Sequence, residues 1–424
     1  MGKISKAVRG VADIYNGASL IVRIIVGLII GTVLALTMPH VTWIGEFGTL
    51  FVAALKAVAP ILVFVLVASA LAQGTSKLDC RFGTVLFLYL FTTFLAAVVA
   101  VLTSRLFPQT LSLGKAAKAD VVPQGLSEVI QTLLTNIVAN PIQAIIDGNY
   151  ICILMWACLF GLAMKSIANE SSKAFMANVA DAVSQVIRWV INLAPFGIMG
   201  LVFTNVADNG LSAFTKYGSL LLLLVGTMLL MVLVFGTLVR NPYPLVYRCF
   251  KESGLTAFFT RSSAANIPVN MQLCEKLGLD KDMYSVSIPL GATINMNGAA
   301  ITITIMAMAA ANTLGIQISL PAAILLSVVS ALGACGASGV AGGSLLLIPM
   351  ACSLFGISND IAMQVVGVGF IIGVIQDSVE TCLNSASDVE FAATAEYHAW
   401  LKQGRQLPAF MYSKKERAKL GIEA

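Results

Sequence analysis

The sequence predicts an all-α integral membrane protein with eight transmembrane helices and two re-entrant helical hairpins. Three observations lead to this prediction: the composition, a series of long apolar runs, and two polar, glycine- or serine-rich stretches between short apolar arms. Of the 424 residues, 58% are hydrophobic and only 11% are charged, whereas soluble domains carry about 25% charged residues. A soluble protein is therefore excluded. The net charge of +5 does not indicate nucleic-acid binding, because the basic residues gather in loops.

Residues 1–245 contain six apolar runs, which we interpret as helices one to six. A transmembrane helix needs about 20 apolar residues, so we expect the short fourth run to extend backward. The six runs are Ala18–Met38, Gly48–Ala72, Gly83–Phe107, Ile151–Lys165, Val183–Val206 and Tyr217–Leu238.

Basic residues alternate along the loops, which predicts the orientation of the chain. Loops rich in lysine and arginine stay in the cytoplasm, so both termini are expected there, together with the tail 401–424. An even number of crossings must then follow helix six. The basic residues precede helix one (Lys3, Lys6, Arg9), follow helices two (Lys77, Arg81), four (Lys165, Lys173) and six (Arg240, Arg248, Lys251), and recur in the tail (Lys402, Arg405, Lys414, Lys415).

Residues 246–400 break the regular pattern and form the predicted core. Phe259–Pro268 and Gly333–Ser344 are polar or glycine-rich, and the apolar arms beside them are too short to cross. Irregular backbone at membrane depth is tolerated only inside protein or beside a watery cavity, so both stretches are predicted to be tips of re-entrant hairpins. A hairpin followed by a helix, repeated once, indicates an inverted repeat with its binding site near the midplane. The predicted bounds are about 250–280 for hairpin one, 284–313 for helix seven, 319–357 for hairpin two and 361–395 for helix eight.

Helix eight carries a polar stripe inside the expected membrane span. Asp377, Thr381, Asn384 and Asp388 follow the spacing of one helical face, and Glu380 lies at its edge. A carboxylate at bilayer depth costs roughly 2.5–3.5 kcal/mol, and such residues usually mark an ion or substrate path. The stripe therefore predicts transport across the membrane.

The polar groups of helices seven and eight suit a hard cation. Asn295 and Asp388 supply oxygen atoms, and carbonyl groups become available if helix seven unwinds near Gly291 and Gly298. The eight cysteines show no metal-type spacing and only two histidines are present. A transition metal is disfavoured, and Na⁺ is the predicted ion.

The hairpin tips and Asp377 together suit a zwitterion. Helix N-termini at the tips attract a carboxylate through their amide groups, and the Asp377 carboxylate can bind an ammonium group. These two features predict an amino acid as the substrate.

Four segments of the chain resemble one known family in order and spacing. They are Thr260–Ser263, Gly291–Gly298, Gly336–Gly342 and the stripe from Asp377 to Asp388. These segments are similar to the signatures of the dicarboxylate/amino acid:cation symporters, which include the glutamate transporters. Within that family the chain is most similar to the bacterial branch that carries serine and threonine with sodium.

The resemblance implies a glutamate-transporter-like elevator fold in a bacterial inner membrane. It implies a homotrimer surrounded by lipid, in which helices one, two, four and five form a scaffold. Helices three, six, seven and eight then form a moving transport domain with both hairpins. The implied activity is sodium-coupled import of L-serine and L-threonine, and an enzyme is not expected.

The resemblance also implies the substrate ligands. Asp377 would bind the ammonium group, and Asn384 with the backbone at Ser262, Ser263 and Val340 would bind the carboxylate. Gly342, Glu380 and Thr381 would line the pocket.

Three sodium positions follow from the same resemblance. The first lies among the carbonyls of Gly291, Asn295 and Asn384 and the Asp388 carboxylate. The second lies between Thr293 and the backbone of Ala334, Cys335 and Ala337. The third lies beside Asn295 and involves Tyr89, Thr92, Thr93 and Asn297.

Two positions depart from the acidic-substrate members of the family. Glu380 replaces an arginine that binds the side-chain carboxylate of the substrate, so dicarboxylates should be repelled. Asn297 replaces an aspartate that serves the third sodium in other members, which predicts fewer coupled ions. Arg261 of hairpin one can pair with Asp377 or Glu380, which would reduce the cost of burying these acids.

Several alternatives remain open at this point. Ser262 and Ser263 can be simple helix caps, Asn295 and Asn297 can join helices by hydrogen bonds, and Glu380 can be a structural ion-pair partner. The glycine-rich stretch of hairpin two can be a helix-packing surface. Among functions, a proton- or sodium-coupled dicarboxylate carrier is the second candidate, ahead of an intramembrane protease or a passive channel.

Overall fold

The computed structural model describes residues 17–18, 20–73, 80–113, 138–147, 149–234, 241–335, 337, 342–413 and 416–417. Within these ranges the regular structure is helical and contains no strand, which agrees with the predicted all-α class. Five of the described helices are long and apolar enough to cross a membrane, or six if a bent pair counts as one span. The total of eight crossings stays a prediction.

The first half of the chain forms helices α1 to α8. The predicted fourth helix starts at Tyr150, where the Asn149 side chain caps it by accepting a hydrogen bond from the Cys152 amide at 3.3 Å. A short helix precedes this cap, so the expected backward extension is a separate element. The helices are α1 (Leu20–Thr37), α2 (Trp43–Ala72), α3 (Cys80–Leu106), α4 (Pro141–Asp147), α5 (Tyr150–Ile167), α6 (Glu170–Asn192), α7 (Ala194–Asn209) and α8 (Ser212–Val234).

The prediction of a single fifth helix over Val183–Val206 is wrong, because two helices cover this range. Helices α6 and α7 meet at Leu193 with a bend of 51°. Pro195 lies at the start of α7, where the missing N–H costs nothing, whereas inside a continuous helix its ring would clash with the preceding turn.

Helix α7 packs between α1 and α2, and glycines at several of the contacts let the backbones approach closely. A Cβ atom added to Gly200 would lie 2.4 Å from the Gly48 amide nitrogen, and one added to Gly27 would lie 2.2 Å from the Pro195 carbonyl oxygen. Such close approach of backbones is possible only with glycine. The three helices therefore pack as one tightly joined unit.

In the second half of the chain each of two helical hairpins precedes longer helical segments, which form a broken pair after the first hairpin and one continuous helix after the second. The elements are α9 (Tyr243–Cys249), a π-helical turn (Phe250–Gly254), α10 (Leu255–Thr260), α11 (Ser263–Lys276), α12 (Lys281–Ile294), α13 (Asn297–Thr313), α14 (Leu320–Ala334), a 3₁₀ turn (Gly343–Leu347), α15 (Ile348–Ser353) and α16 (Asn359–Lys402).

The first hairpin comprises Tyr243–Lys276 and reverses direction at Arg261. Arg261 has φ 49° and is the one non-glycine residue with positive φ in the described part of the chain. The next residue, Ser262, caps α11 by accepting a hydrogen bond from the Ala265 amide at 3.2 Å. At the other end, Lys276 and Glu252 join the two arms at 3.1 Å.

The second hairpin comprises Leu320–Ser353. Its arms are in contact, since a Cβ atom on Gly333 would lie 2.1 Å from the end of the Met350 side chain. Gly342 starts the returning arm with φ 73°, a conformation that favours glycine. Residues 336 and 338–341 lie outside the described residues, and the predicted ligand Val340 is among them.

Helix seven consists of two helices rather than one. The backbone leaves the helical region at Asn295 (φ −89°, ψ 80°) and Met296 (φ −119°, ψ 52°), which separates α12 from α13. This break lies between Gly291 and Gly298, as the predicted unwinding required. Helix α16 extends beyond the predicted range 361–395 to Lys402, because Tyr397 and Trp400 continue its buried face.

Candidate substrate and cation site

The tips of both hairpins meet at Asp377 of α16. The Gly342 amide of the second hairpin donates a hydrogen bond to Oδ1 of Asp377 at 3.3 Å. The Arg261 guanidinium of the first hairpin lies 3.6 Å from Oδ2. This second oxygen is buried and accepts no hydrogen bond from the described residues. Asp377 therefore has one bonded oxygen and one oxygen that faces only a positive charge.

The Arg261–Asp377 pair borders a narrow cavity against helix α1. Leu20 and Ile24 of α1 and Phe370 of α16 form its apolar walls, and its volume is about 20 Å³. This space holds a water molecule but not an amino acid.

Glu380 has a different environment from Asp377. Its Oε2 atom accepts hydrogen bonds from Thr302 Oγ1 at 2.7 Å, from Ser344 Oγ at 2.9 Å and from the Gln376 amide. Among the described residues Glu380 has no ion-pair partner, and Arg261 pairs with Asp377 instead. The carboxylate thereby joins α13, the second hairpin and α16.

Asp388 lies at the break between α12 and α13. It is fully buried, and the Asn295 amide donates to its Oδ1 atom at 2.9 Å. A Cβ atom on Gly291 would lie 2.6 Å from this oxygen, so the helix backbone approaches the carboxylate closely. The Tyr89 hydroxyl lies 3.1 Å from the Asp388 carbonyl oxygen. Gly291, Asn295, Asp388 and Tyr89, predicted as ligands, are thus brought together.

The donor atoms around Asp388 fit a sodium ion. Asn297 donates through its amide to Asn295 Oδ1 at 2.9 Å and to Ser387 Oγ at 3.2 Å. Its own Oδ1 atom is buried and has no hydrogen-bond partner among the described residues. A carboxylate and an unpaired amide oxygen are hard ligands of the kind that Na⁺ accepts.

Asn384 joins α16 to the start of α13. Its Oδ1 atom accepts a hydrogen bond from the Gly298 amide at 2.7 Å, which caps the helix. Among the described residues, the one hydrogen-bond acceptor of its Nδ2 atom is the Met296 sulfur, at 3.4 Å. Because a thioether is a weak acceptor, this amide retains the capacity to bind a carboxylate.

The predicted threonine ligands donate hydrogen bonds within their own helices. Thr92 donates to the Leu88 carbonyl at 2.7 Å, Thr93 to the Tyr89 carbonyl at 2.7 Å, Thr293 to the Leu290 carbonyl at 2.7 Å, and Thr381 to the Asp377 carbonyl at 2.8 Å. The lone pairs of these hydroxyl oxygens remain able to accept or coordinate, so their predicted roles stay predictions.

The predicted second sodium region lies where α12 and α14 end. Cys335 Sγ is 3.5 Å from the Ile294 carbonyl oxygen, and the Ala337 amide donates to the Ala334 carbonyl at 2.9 Å. Thr293 and the start of the second hairpin tip are therefore neighbours.

Sequence reasoning missed several polar partners of these acids. Thr302, Ser344 and Gln376 bind Glu380, although each stands in an apolar or glycine-rich segment without a motif of its own. Asn266 and Asn270 of the first hairpin are fully buried. Two asparagines four residues apart share one helix face, and this spacing could have been recognised in the sequence.

The model of the sodium:dicarboxylate symporter family matches residues 20–397. The chain belongs to this family. It is 98% identical to the serine/threonine transporter SstT of Bifidobacterium adolescentis, with 100% of both chains covered. It is 60% identical to the serine/threonine transporter SstT of Streptococcus agalactiae, over 90% of this chain and 96% of that protein. The protein of the same name from Streptococcus thermophilus is 55% identical, over 92% of this chain and 98% of that protein.

Membership of this family confirms the resemblance inferred from the four sequence segments. The relatives are transporters, in agreement with the prediction that the chain is not an enzyme. The family's name refers to sodium and dicarboxylates, whereas these relatives are named for two neutral amino acids. The surroundings of Asp377 and Glu380 therefore bear on whether the site suits an acidic or a neutral substrate.

Proposed function

We propose that the chain imports L-serine and L-threonine across the bacterial inner membrane together with Na⁺. The observation that carries this proposal is the meeting of both hairpin tips at Asp377, whose second oxygen accepts no hydrogen bond from the described residues. The relatives named serine/threonine transporters support the choice of substrates.

The substrate ammonium binds Asp377 in exchange for Arg261. Arg261 lies 3.6 Å from the same oxygen that an ammonium group would take. A buried carboxylate left without a counter-charge is strongly unfavourable. Exchange of one cation for another keeps Asp377 compensated while the tip of the first hairpin moves aside.

The substrate carboxylate binds at the hairpin tips. The first amides of a helix have no acceptor within that helix, and its N-terminus attracts negative charge. Helix α11 begins at Ser263 directly after the cap residue Ser262, within reach of Asp377 through Arg261. Asn384 supplies a further amide, because the acceptor that it has among the described residues is a thioether.

The side chain of the substrate is neutral and short. Asp377 and Glu380 lie one helical turn apart and are both buried, so the pocket is negative where a dicarboxylate would place its second acid group. Like charges in a desolvated site are repelled. The hydroxyl group of serine or threonine, by contrast, can donate a hydrogen bond to a carboxylate oxygen.

Sodium binds beside Asp388 at the break between α12 and α13. Asp388, Asn297 and the carbonyls of Gly291, Asn295 and Asn384 are the proposed ligands, with Tyr89 next to them. The buried Oδ1 atom of Asn297, which lacks a partner among the described residues, supports this position.

The transport motion is an elevator movement of the core against a trimeric scaffold. The glycine contacts that join α1, α2 and α7 suit a rigid scaffold. Arg81 of α3 pairs with Asp280 and with Glu396, each at 3.0 Å. These pairs attach α3 to α12 and α16 and support its assignment to the moving domain.

A proton- or sodium-coupled dicarboxylate carrier is the second candidate, supported by the family name. Uptake of radiolabelled serine into proteoliposomes distinguishes the two. We expect saturable serine uptake with an inward Na⁺ gradient, none with a pH gradient alone, and no competition by aspartate. Uptake that ignores Na⁺ would remove the coupling, and preferential inhibition by aspartate would favour the second candidate.

A further inference from the structure

A second polar cluster lies between the first hairpin and α16. We call it the hairpin cluster: it consists of Ser253, Asn266, Asn270 and Ser385, all fully buried. Ser253 belongs to the π-helical turn of the first arm, and the two asparagines belong to α11. Neither the substrate pocket nor the proposed sodium ligands include these residues.

Asn270 connects this cluster to Asp388. Its Oδ1 atom accepts a hydrogen bond from the Ser253 hydroxyl. Its Nδ2 atom lies 3.0 Å from the Ser385 carbonyl oxygen and 3.4 Å from Asp388 Oδ2. One side chain thus spans from the first arm of the hairpin to the carboxylate on α16.

Asn266 lies on the same helix as Asn270 and is also fully buried, but its side chain contacts different atoms. Its amide lies 2.7 Å from Ser385 Oγ, 3.0 Å from Ser253 Oγ and 3.1 Å from Asn270 Oδ1. No hydrogen bond joins Asn266 to Asp388 in the described structure. The chain therefore contains a matched pair of asparagines, of which only Asn270 contacts the carboxylate.

Each carboxylate oxygen of Asp388 accepts a hydrogen bond from a different asparagine. Asn295 binds Oδ1 at 2.9 Å and Asn270 binds Oδ2 at 3.4 Å. Together these bonds fix the rotation of the carboxylate and hence the direction of its lone pairs. Residues that orient a metal ligand in this way typically change metal affinity about 10- to 100-fold when they are removed.

We propose that Asn270 is a positioning residue for the transported cation. It sets the rotation of Asp388 without contacting the ion, so that a displacement of the first hairpin alters sodium affinity. This inference rests on the proposed function, because it takes Asp388 as a sodium ligand. The π-helical turn at Ser253 extends the connection to the other arm, and π-helical turns often occur at functional positions.

Asn270→Ala and Asn266→Ala, reconstituted in proteoliposomes, test the proposal. We expect Asn270→Ala to raise the half-saturating Na⁺ concentration for serine uptake about 10- to 100-fold. Asn266→Ala should change it less than about threefold, since it removes one of the two hydrogen bonds to Asn270 Oδ1 but leaves the Ser253 bond and both Asp388 bonds in place. At saturating Na⁺, the half-saturating serine concentration should be similar in both variants. A changed ratio of Li⁺ to Na⁺ half-saturation in Asn270→Ala alone would mark a reoriented carboxylate.

Equal sodium dependence of the two alanine variants overturns the proposal. If Asn270→Ala does not fold, Asn270→Ser provides the test. The serine keeps a hydroxyl group that can bond with Ser253, but its side chain is too short to reach Asp388. Wild-type sodium dependence in Asn270→Ser would then overturn the inference. Serine uptake by the wild-type chain without Na⁺ would instead refute the proposed function, so the two failures are distinguishable.

Discussion

Gly291→Ala is a direct test of the cation site, because the smallest possible side chain would enter it. The added Cβ atom would lie 2.6 Å from Asp388 Oδ1 and 2.8 Å from the Tyr89 hydroxyl. Both neighbours are fully buried, so neither can turn away into solvent. The carboxylate must therefore shift within its site.

The size of the effect follows from this overlap. The 2.6 Å separation is about 0.8 Å short of the 3.4 Å at which ordinary van der Waals contact begins. Overpacking of this kind costs about 1–3 kcal/mol, which corresponds to a loss of sodium affinity of about 5- to 140-fold. Helix propensity acts in the opposite direction, since alanine is favoured over glycine by about 1 kcal/mol inside a helix. Global stability should therefore fall less than sodium affinity.

The loss of sodium affinity is measured from serine uptake at increasing Na⁺ concentration. The matched control is Gly83→Ala in α3, the helix that carries Tyr89, where an added Cβ meets no atom within 4 Å. We expect Gly83→Ala to behave as wild type. A half-saturating Na⁺ concentration for Gly291→Ala within twofold of wild type would refute the placement of the ion at Asp388.

Three further outcomes are expected. Asp377→Asn keeps the size of the side chain but removes the charge for the substrate ammonium, so radiolabelled serine uptake should fall to background; normal uptake would contradict that role. Ser344→Ala removes a hydrogen bond to the buried Glu380 carboxylate, worth about 1.5–3 kcal/mol, and should raise the half-saturating serine concentration about tenfold; an unchanged value would separate the second hairpin from substrate binding. Gly200→Leu must push α7 away from Gly48 and should lower the melting temperature in detergent; an unchanged melting temperature would argue against the tight packing.

Much of the helical pattern could be predicted from the sequence, because a membrane leaves few ways to satisfy backbone polar groups. The break between α6 and α7 could not. Pro195 lies at this break, but Pro60 lies inside the continuous helix α2 and Pro289 inside α12. A proline in a membrane helix is tolerated where its neighbours satisfy the freed carbonyl. Local sequence therefore does not indicate which proline ends a helix.

In the candidate site, too, some residues could be predicted from the sequence and others could not. Asp377 and Asp388 were identified from their spacing on one helix face, which is a local property of the chain. The partners of Glu380 depend on tertiary packing, since Thr302 is 78 residues away and Ser344 is 36 residues away. Both are ordinary small polar residues, and only the folded structure brings them to one oxygen atom.

Three of the buried carboxylates on α16, those of Asp377, Glu380 and Asp388, have three distinct environments. Glu380 is satisfied by neutral donors from three segments, and Asp388 by the amides of Asn295 and Asn270. Of these three, Asp377 is the one that faces a cation, the Arg261 side chain at the hairpin tip. A charge balanced by a replaceable partner is suited to binding an ammonium group, whereas charges balanced by fixed donors are suited to shaping the pocket and holding an ion. The proposed division of roles along α16 therefore follows from which of the three carboxylates is paired with a cation and which are held by neutral donors.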